Sequence, residues 1–167
     1  MNNFRNTYAT SADFCRVFES EMDRLYLLAF LLLADHASAE QCFLHVLEAV
    51  REDKAVFKSS VSRWIRHRLI QDALQRVFDE SSSEHVRDFW YEESNVAPYI
   101  DAIVQMDALE RFGFVLVVLE GYSTKECSLL LGSHIKEVTD ATLHALGAVG
   151  TQMNDVRAIG QSLKASA

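Results

Sequence analysis

Residues 107–146, DALERFGFVLVVLEGYSTKECSLLLGSHIKEVTDATLHAL, carry start and stop signals for three consecutive helices, and this punctuation restricts the second half of the chain more than any other feature. Asp107 with Glu110 has the spacing of a capped helix start. The apolar run over 112–119 suits a buried helix, which Gly121 can end in the left-handed conformation. Ser123 with Glu126 forms a second capping box and opens a short helix to Leu131. Gly132 closes that helix, Ser133 caps the next, and Ile135, Val138, Thr142, Ala145 and Leu146 give the third helix one apolar side. Helix, glycine-containing turn and helix is the order of a helix-turn-helix, though an ordinary packed helical hairpin is punctuated in the same way.

The rest of the chain is equally helical in period. One proline and six glycines in 167 residues leave little room for a turn-rich β protein, so an all-α fold of two small helical domains is expected. The apolar run over 26–34 is too short to span a bilayer and lies too far along the chain for a signal peptide, which implies a cytoplasmic protein without a membrane partner. Three scattered cysteines, Cys15, Cys42 and Cys127, fit reduced thiols serving as small core residues. Neither a metal-ligand cluster nor a phosphate-cradling glycine loop stands in the sequence, so neither enzyme activity nor a cofactor is expected. Cys42 and His45 lie three apart on one helix, and without a third group such a pair is helix packing.

Charge divides the chain. The net charge is −8, yet residues 54–76 carry six basic residues against Asp72 alone, a local +5, while 77–96 hold six acids against Arg87, a local −5. The acidic stretch, with serines and no clear period, is the natural linker. It separates an N-terminal helical domain over 11–78 from a C-terminal one over 97–150, and a small, polar, flexible tail follows over 151–167. Within the first domain a long helix runs over 11–33. A second starts at Ser38, where Gln41 completes a capping box, and runs to about 51. The third, over about 56–78, stacks Phe57, Val61, Ile65, Leu69, Ala73 and Val77 on one side against Ser59, Arg63, Arg66, His67, Gln71 and Gln75 on the other. A basic face on an acidic protein suits a polyanion, because local charge rather than global charge governs docking. A plain solvated helix face would carry the same residues.

In this order the pieces resemble the bacterial RNA polymerase sigma factors of the extracytoplasmic-function type, in which a region 2 helical domain, a linker and a region 4 helix-turn-helix follow one another. The resemblance spans residues 14–149. LYLLAFLLLADHASAEQCFLHVLEAV, from Leu25, looks like the family's region 2.1 to 2.2 pattern, and VFKSSVSRWIRHRLIQDALQR, from Val56, like the segments that melt and read the downstream promoter element. Leu109-Glu110-Arg111, Leu119-Glu120-Gly121-Tyr122-Ser123, Glu126 and Leu131-Gly132 fall where region 4 places such residues.

The resemblance implies a transcription initiation factor that binds core RNA polymerase and directs it to promoter DNA. Glu40, Gln41, Phe43, Leu44, Leu47 and Glu48 would meet the coiled coil of the polymerase β′ subunit. Arg63, Trp64, Arg66, His67, Arg68 and Arg76 would face promoter DNA, as would Ser133, His134, Lys136, Glu137 and Thr139 on the recognition helix. Arginines there bind phosphates, and an exposed aromatic such as Trp64 stacks on an extruded base or holds the edge of an opened duplex; a Trp64 packed beside Ile65 is the other reading. The linker resembles those that occupy the polymerase's nucleic-acid channels, with plain solubility as the alternative, and Phe89-Trp90-Tyr91 within it is expected to dock on a surface.

Two departures stand out. Thr139, Ala141 and His144 occupy positions usually held by lysine or arginine, Asp140 adds a negative charge, and residues 122–146 sum to −1. Arg66-His67-Arg68 and Asp72 also lie closer to Trp64 than the family's usual spacing. They leave open a sigma-like decoy that binds an anti-sigma factor instead of promoter DNA. A different helix-turn-helix regulator is also open, although no separate dimerisation helix is evident.

Overall fold

The computed structural model describes residues 7–50, 56–78 and 98–165, with side chains described up to Thr151. The acidic linker, its Phe89-Trp90-Tyr91 and Lys54 lie outside the described residues. The protein is all-α, and among the described residues the sole extended pairing is a bridge between Tyr8 and Phe57. Two compact units are present, Met1–Ser83 and Glu84–Ala167.

The first unit is a three-helix cluster in which α1 (Ser11–Leu33), α2 (His36–Ala49) and α3 (Val61–Phe78) pack pairwise on one another. α1 starts on a capping box, with Thr10 and Asp13 satisfying each other's backbone N–H groups, and ends where Ala34 takes a left-handed turn at φ 56°. Its buried residues include Phe14, Phe18, Leu25, Leu28, Ala29 and Leu32, at helical spacing. From α3, Val61, Ile65, Leu69, Ile70 and Ala73 meet them, each with at most 1 % exposure. Burying a side chain of this size contributes about 1.5–3 kcal/mol, so this seam is the main hydrophobic stabilisation of the unit.

Two expectations for this unit need correction. α2 begins at His36, not Ser38: Asp35 is the cap and its carboxylate accepts the Ser38 N–H at 2.6 Å, so Ser38 supplies a donor instead of capping. A charged carboxylate meets the positive end of the helix more favourably than a hydroxyl three residues later. The third helix begins at Val61, because the strand-like segment before it is occupied: Ala9 N–H donates to the Val56 carbonyl and Lys58 N–H to the Thr7 carbonyl, and a 3-10 turn over Lys58–Ser60 follows. Phe57 is consequently 49 % exposed and stacks on Tyr8 instead of joining the core stripe.

The second unit gathers α4 (Pro98–Gln105), α5 (Ala108–Gly113) and α6 (Thr124–Leu131) around α7 (Ile135–Ala165). Asp107 caps α5, accepting the Glu110 N–H at 2.9 Å. The expected apolar helix follows, but over Phe114–Leu119 it is wound as a π-helix, and its last residues Val118 and Leu119 emerge at the surface. Gly121 has the expected left-handed φ of 75°, and Ser123 with Glu126 forms the expected capping box of α6. α7 remains helical through Ala165, beyond residue 150, where the domain was expected to end.

Candidate functional site

α2 sorts its side chains by direction. Ala39, Cys42 and Val46 are buried. Phe43 is turned onto α1, edge to face with Phe18 at 5.4 Å. Gln41 and His45 are turned onto α3: Gln41 accepts from Arg76 Nη1 at 3.3 Å, and His45 Nδ1 is hydrogen-bonded to the Asp72 carboxylate. Glu40, Leu44, Leu47 and Glu48 remain, all exposed, at the i, i+4, i+7, i+8 spacing of a single stripe. Leu44 is 58 % exposed, between Glu40 and Glu48 on that stripe. Of the six residues expected to meet the polymerase, four therefore share an open face, while Gln41 and Phe43 help to hold the helix in place.

α3 divides its cations in the same way. Arg66 Nη2 donates to Glu21 of α1 at 3.0 Å, and Ser62 reaches the same carboxylate oxygen at 3.1 Å. Burial would raise the Glu21 pKa, but these two hydrogen bonds and the Arg66 charge outweigh it and hold the carboxyl below its ordinary range. Arg76 Nε donates to Asp72 at 2.6 Å. The expected assignments of Arg66 and Arg76 to promoter DNA thus meet guanidinium groups already engaged by internal acids. Arg63, His67 and Arg68 have no acidic partner among the described residues. Arg68 lies over the Trp64 ring at 6.0 Å, and the indole also packs edge to face with Phe14 at 5.3 Å. Trp64 is partly buried, so its packing is shared between α1 and Arg68.

Asp72 is the group the sequence left unassigned. Its side chain is buried and collects Arg76 and His45; burial pushes its pKa up, the hydrogen bonds from Arg76 and His45 push it down, and the net shift is downward. Of the Cys42–His45 pair, His45 thus has Asp72 as its partner, while the Cys42 thiol donates to the Leu69 carbonyl at 3.6 Å. The arrangement does not make a nucleophile, because burial, followed by the Asp72 charge, drives the Cys42 thiol far up and keeps it protonated. Cys42 and Cys127 are buried as expected, whereas Cys15 is exposed. Asp72 as the lone acid in a basic run, four residues before Arg76, was the available signal for this cluster. Glu21, 45 residues from Arg66, offered none.

In the second unit, Gly132 makes the turn between α6 and α7 at φ 61°. Ser133 does not cap α7: its hydroxyl donates to the Leu131 carbonyl at 3.4 Å, and the His134 N–H is taken by Glu137 at 3.0 Å. Thr139 spends its hydroxyl on the Ile135 carbonyl at 2.8 Å. Of the five recognition-helix residues, His134, Lys136 and Glu137 are exposed, and the Glu137 carboxylate closes the positive helix end that a phosphate would otherwise seek. Beside them Leu129, Ile135, Leu143 and Leu146 are exposed. Arg111 is buried, donating to the Met106 carbonyl at 2.9 Å, and adds nothing to the surface charge.

Two all-helical units define the class of fold, and in the second α6, the Gly132 turn and α7 follow one another. No family model matches the sequence, and no curated protein matches it. Among solved structures the chain is similar to the sigma factor RpoE of Bartonella quintana, solved in complex with the anti-sigma factor NepR: the TM-score is 0.51 at 16% identity, covering 85% of this chain and 97% of that one. The fold is thus sigma-like. Among the described residues no helix is long and apolar enough to cross a membrane.

Proposed function

We propose that this chain is a sigma-type transcription initiation factor, in which α2 docks core RNA polymerase and α3 presents Arg63, His67 and Arg68 to promoter DNA. The observation that carries the reading is the open stripe Glu40, Leu44, Leu47 and Glu48. Leucines flanked by carboxylates fit a partner helix with an apolar ridge and basic edges, such as one strand of the β′ coiled coil: burying the leucines supplies affinity, and the acids set orientation. The free arginines of α3 then neutralise phosphates and release their counterions. Trp64, partly buried and in contact with Phe14 and Arg68, would stack on an unpaired base through whatever part of its ring stays open. Its mechanism is delivery and not chemistry. Neither unit needs strong DNA affinity of its own when both are tethered to the enzyme, because tethering raises the effective concentration of each. In the test, the purified chain is passed over a sizing column with core polymerase and assayed for specific transcription. Co-elution and promoter-dependent transcripts are expected.

A second reading has its own observation. The α6–α7 face exposes Leu129, Ile135, Leu143 and Leu146, has its N-terminus closed by Glu137 and carries Asp140, which suits a protein partner better than a phosphate backbone. A sigma-like decoy that captures an anti-sigma factor would use such a face. Failure to bind core polymerase together with capture of an anti-sigma factor would favour it.

A further inference from the structure

We infer that Asp72 is a positioning residue: by clasping His45 and Arg76 it sets the rotation of α2 about its own axis, and so the direction in which the Leu44–Leu47 stripe points. The inference rests on the docking role proposed for that stripe. α2 buries Ala39, Cys42 and Val46, three side chains of modest size, and meets α1 through Phe43 against Phe18 and His36 against Phe30. Burial of such a seam is non-directional and tolerates a helix turning or sliding against its neighbours. On the α1 side the ring contacts help to orient the helix, and on the α3 side directional restraint comes from polar contacts that converge on one carboxylate. Asp72, at 7 % exposure, receives Arg76 Nε at 2.6 Å and His45 Nδ1, while Arg76 Nη1 continues to Gln41 at 3.3 Å and the Cys42 thiol donates to the Leu69 carbonyl at 3.6 Å. Charge-assisted hydrogen bonds to a fixed, buried acceptor have narrow angular preference. Gln41, Cys42 and His45 occupy one side of α2, and the exposed stripe lies roughly a third of a turn around from them. Turning the helix to break the clasp would rotate Leu44 and Leu47 by the same angle. Arg76 is then part of the clasp, and its charge serves the docking helix instead of nucleic acid.

The experiment separates position from function. Nitroxides are placed at Ala37→Cys on α2 and Gln75→Cys on α3 in the full chain with Cys15→Ser, and the distance distribution is read by pulsed electron resonance. The parent should give one narrow distribution; Asp72→Asn and His45→Ala should broaden or shift it, and His45→Gln, which keeps a donor, should restore it. Core polymerase affinity should follow the distances, falling roughly tenfold in Asp72→Asn and His45→Ala and recovering in His45→Gln. His45 is largely solvent-facing, with 56 % of its side chain exposed, so its variants report even where Asp72→Asn fails to fold. An unchanged distribution in a variant that merely melts earlier overturns the inference, as does a shifted distribution with unchanged polymerase affinity. A parent that does not bind core polymerase overturns the docking role, and the distances still decide whether Asp72 sets the helix.

Discussion

Gly113 shows how a single missing side chain sets a helix packing. A β-carbon there would lie 2.9 Å from Thr142 Oγ1, whose hydroxyl is committed to the Val138 carbonyl at 2.7 Å and cannot swing away without losing that bond. Alanine in a helix ordinarily gains up to about 1 kcal/mol over glycine, whereas overpacking at such a contact costs about 1–3 kcal/mol. Gly113→Ala should therefore destabilise the second unit in the parent chain and stabilise it in a Thr142→Ala background, a reversal of sign that urea titration of the two pairs will register. The arginines of α3 divide in a comparable way. Arg63→Ala with Arg68→Ala should flatten the salt dependence of nucleic-acid binding by about 2 in log–log slope if both meet phosphate, and leave stability nearly unchanged. Arg66→Ala should do the opposite, costing about 1 kcal/mol of stability by stranding Glu21 and leaving the slope alone. Nothing in the local sequence distinguishes these arginines. They carry the same charge on one helix, and what separates them is that α1 brings the Glu21 carboxylate within reach of Arg66.

Helix starts are the elements most nearly readable from residue order, because a cap is satisfied within three or four residues. The bounds of α1, the Asp107 cap and the Ser123–Glu126 box follow from such local chemistry. Where two capping residues compete, as Asp35 and Ser38 do before α2 and Ser133 and His134 do before α7, spacing alone cannot choose, and the choice falls to the partner each backbone N–H finds in the folded chain. The 3-10 turn before α3 and the π-helix over Phe114–Leu119 were illegible for another reason. Their apolar spacing passes for an α-helix; pairing with Thr7 and Ala9 accounts for the first, and in the second the Glu120 N–H closes five residues back on the Val115 carbonyl, a shift that side-chain period does not record. The α6 cap also makes a pH prediction. Hydrogen bonds from the Ser123 hydroxyl and backbone lower the Glu126 pKa, so its contribution is present above the ordinary value of 4.5 and is lost as pH falls through the depressed folded value. Ser123→Ala should lower the thermal midpoint of the second unit at pH 7, and the difference from the parent should shrink as the pH is taken below 4.5.

At the scale of the whole molecule, an acidic chain keeps one basic face and one acid-flanked leucine stripe, and both lie in the first unit. The all-α class and the surplus of cations over 54–76 are written in composition and period, since both depend on residue type alone. The division of labour inside each helix is not, because it depends on contacts such as Gln41 with Arg76 and Phe43 with Phe18 that no residue spacing specifies. The stripe on α2 therefore bears the functional weight, and its substitution separates docking from folding. Exposed leucines contribute little to the fold of the free chain but become core when a partner covers them, so their removal should affect binding alone. The decisive measurement is the affinity of the full chain for core RNA polymerase, compared with that of Leu44→Ala, Leu47→Ala and the double variant, with thermal midpoints taken alongside. A loss of about 10- to 100-fold in the double variant at an unchanged midpoint is the predicted result. A parent chain that does not bind core polymerase, or a double variant that binds it as tightly as the parent, would contradict the proposed function.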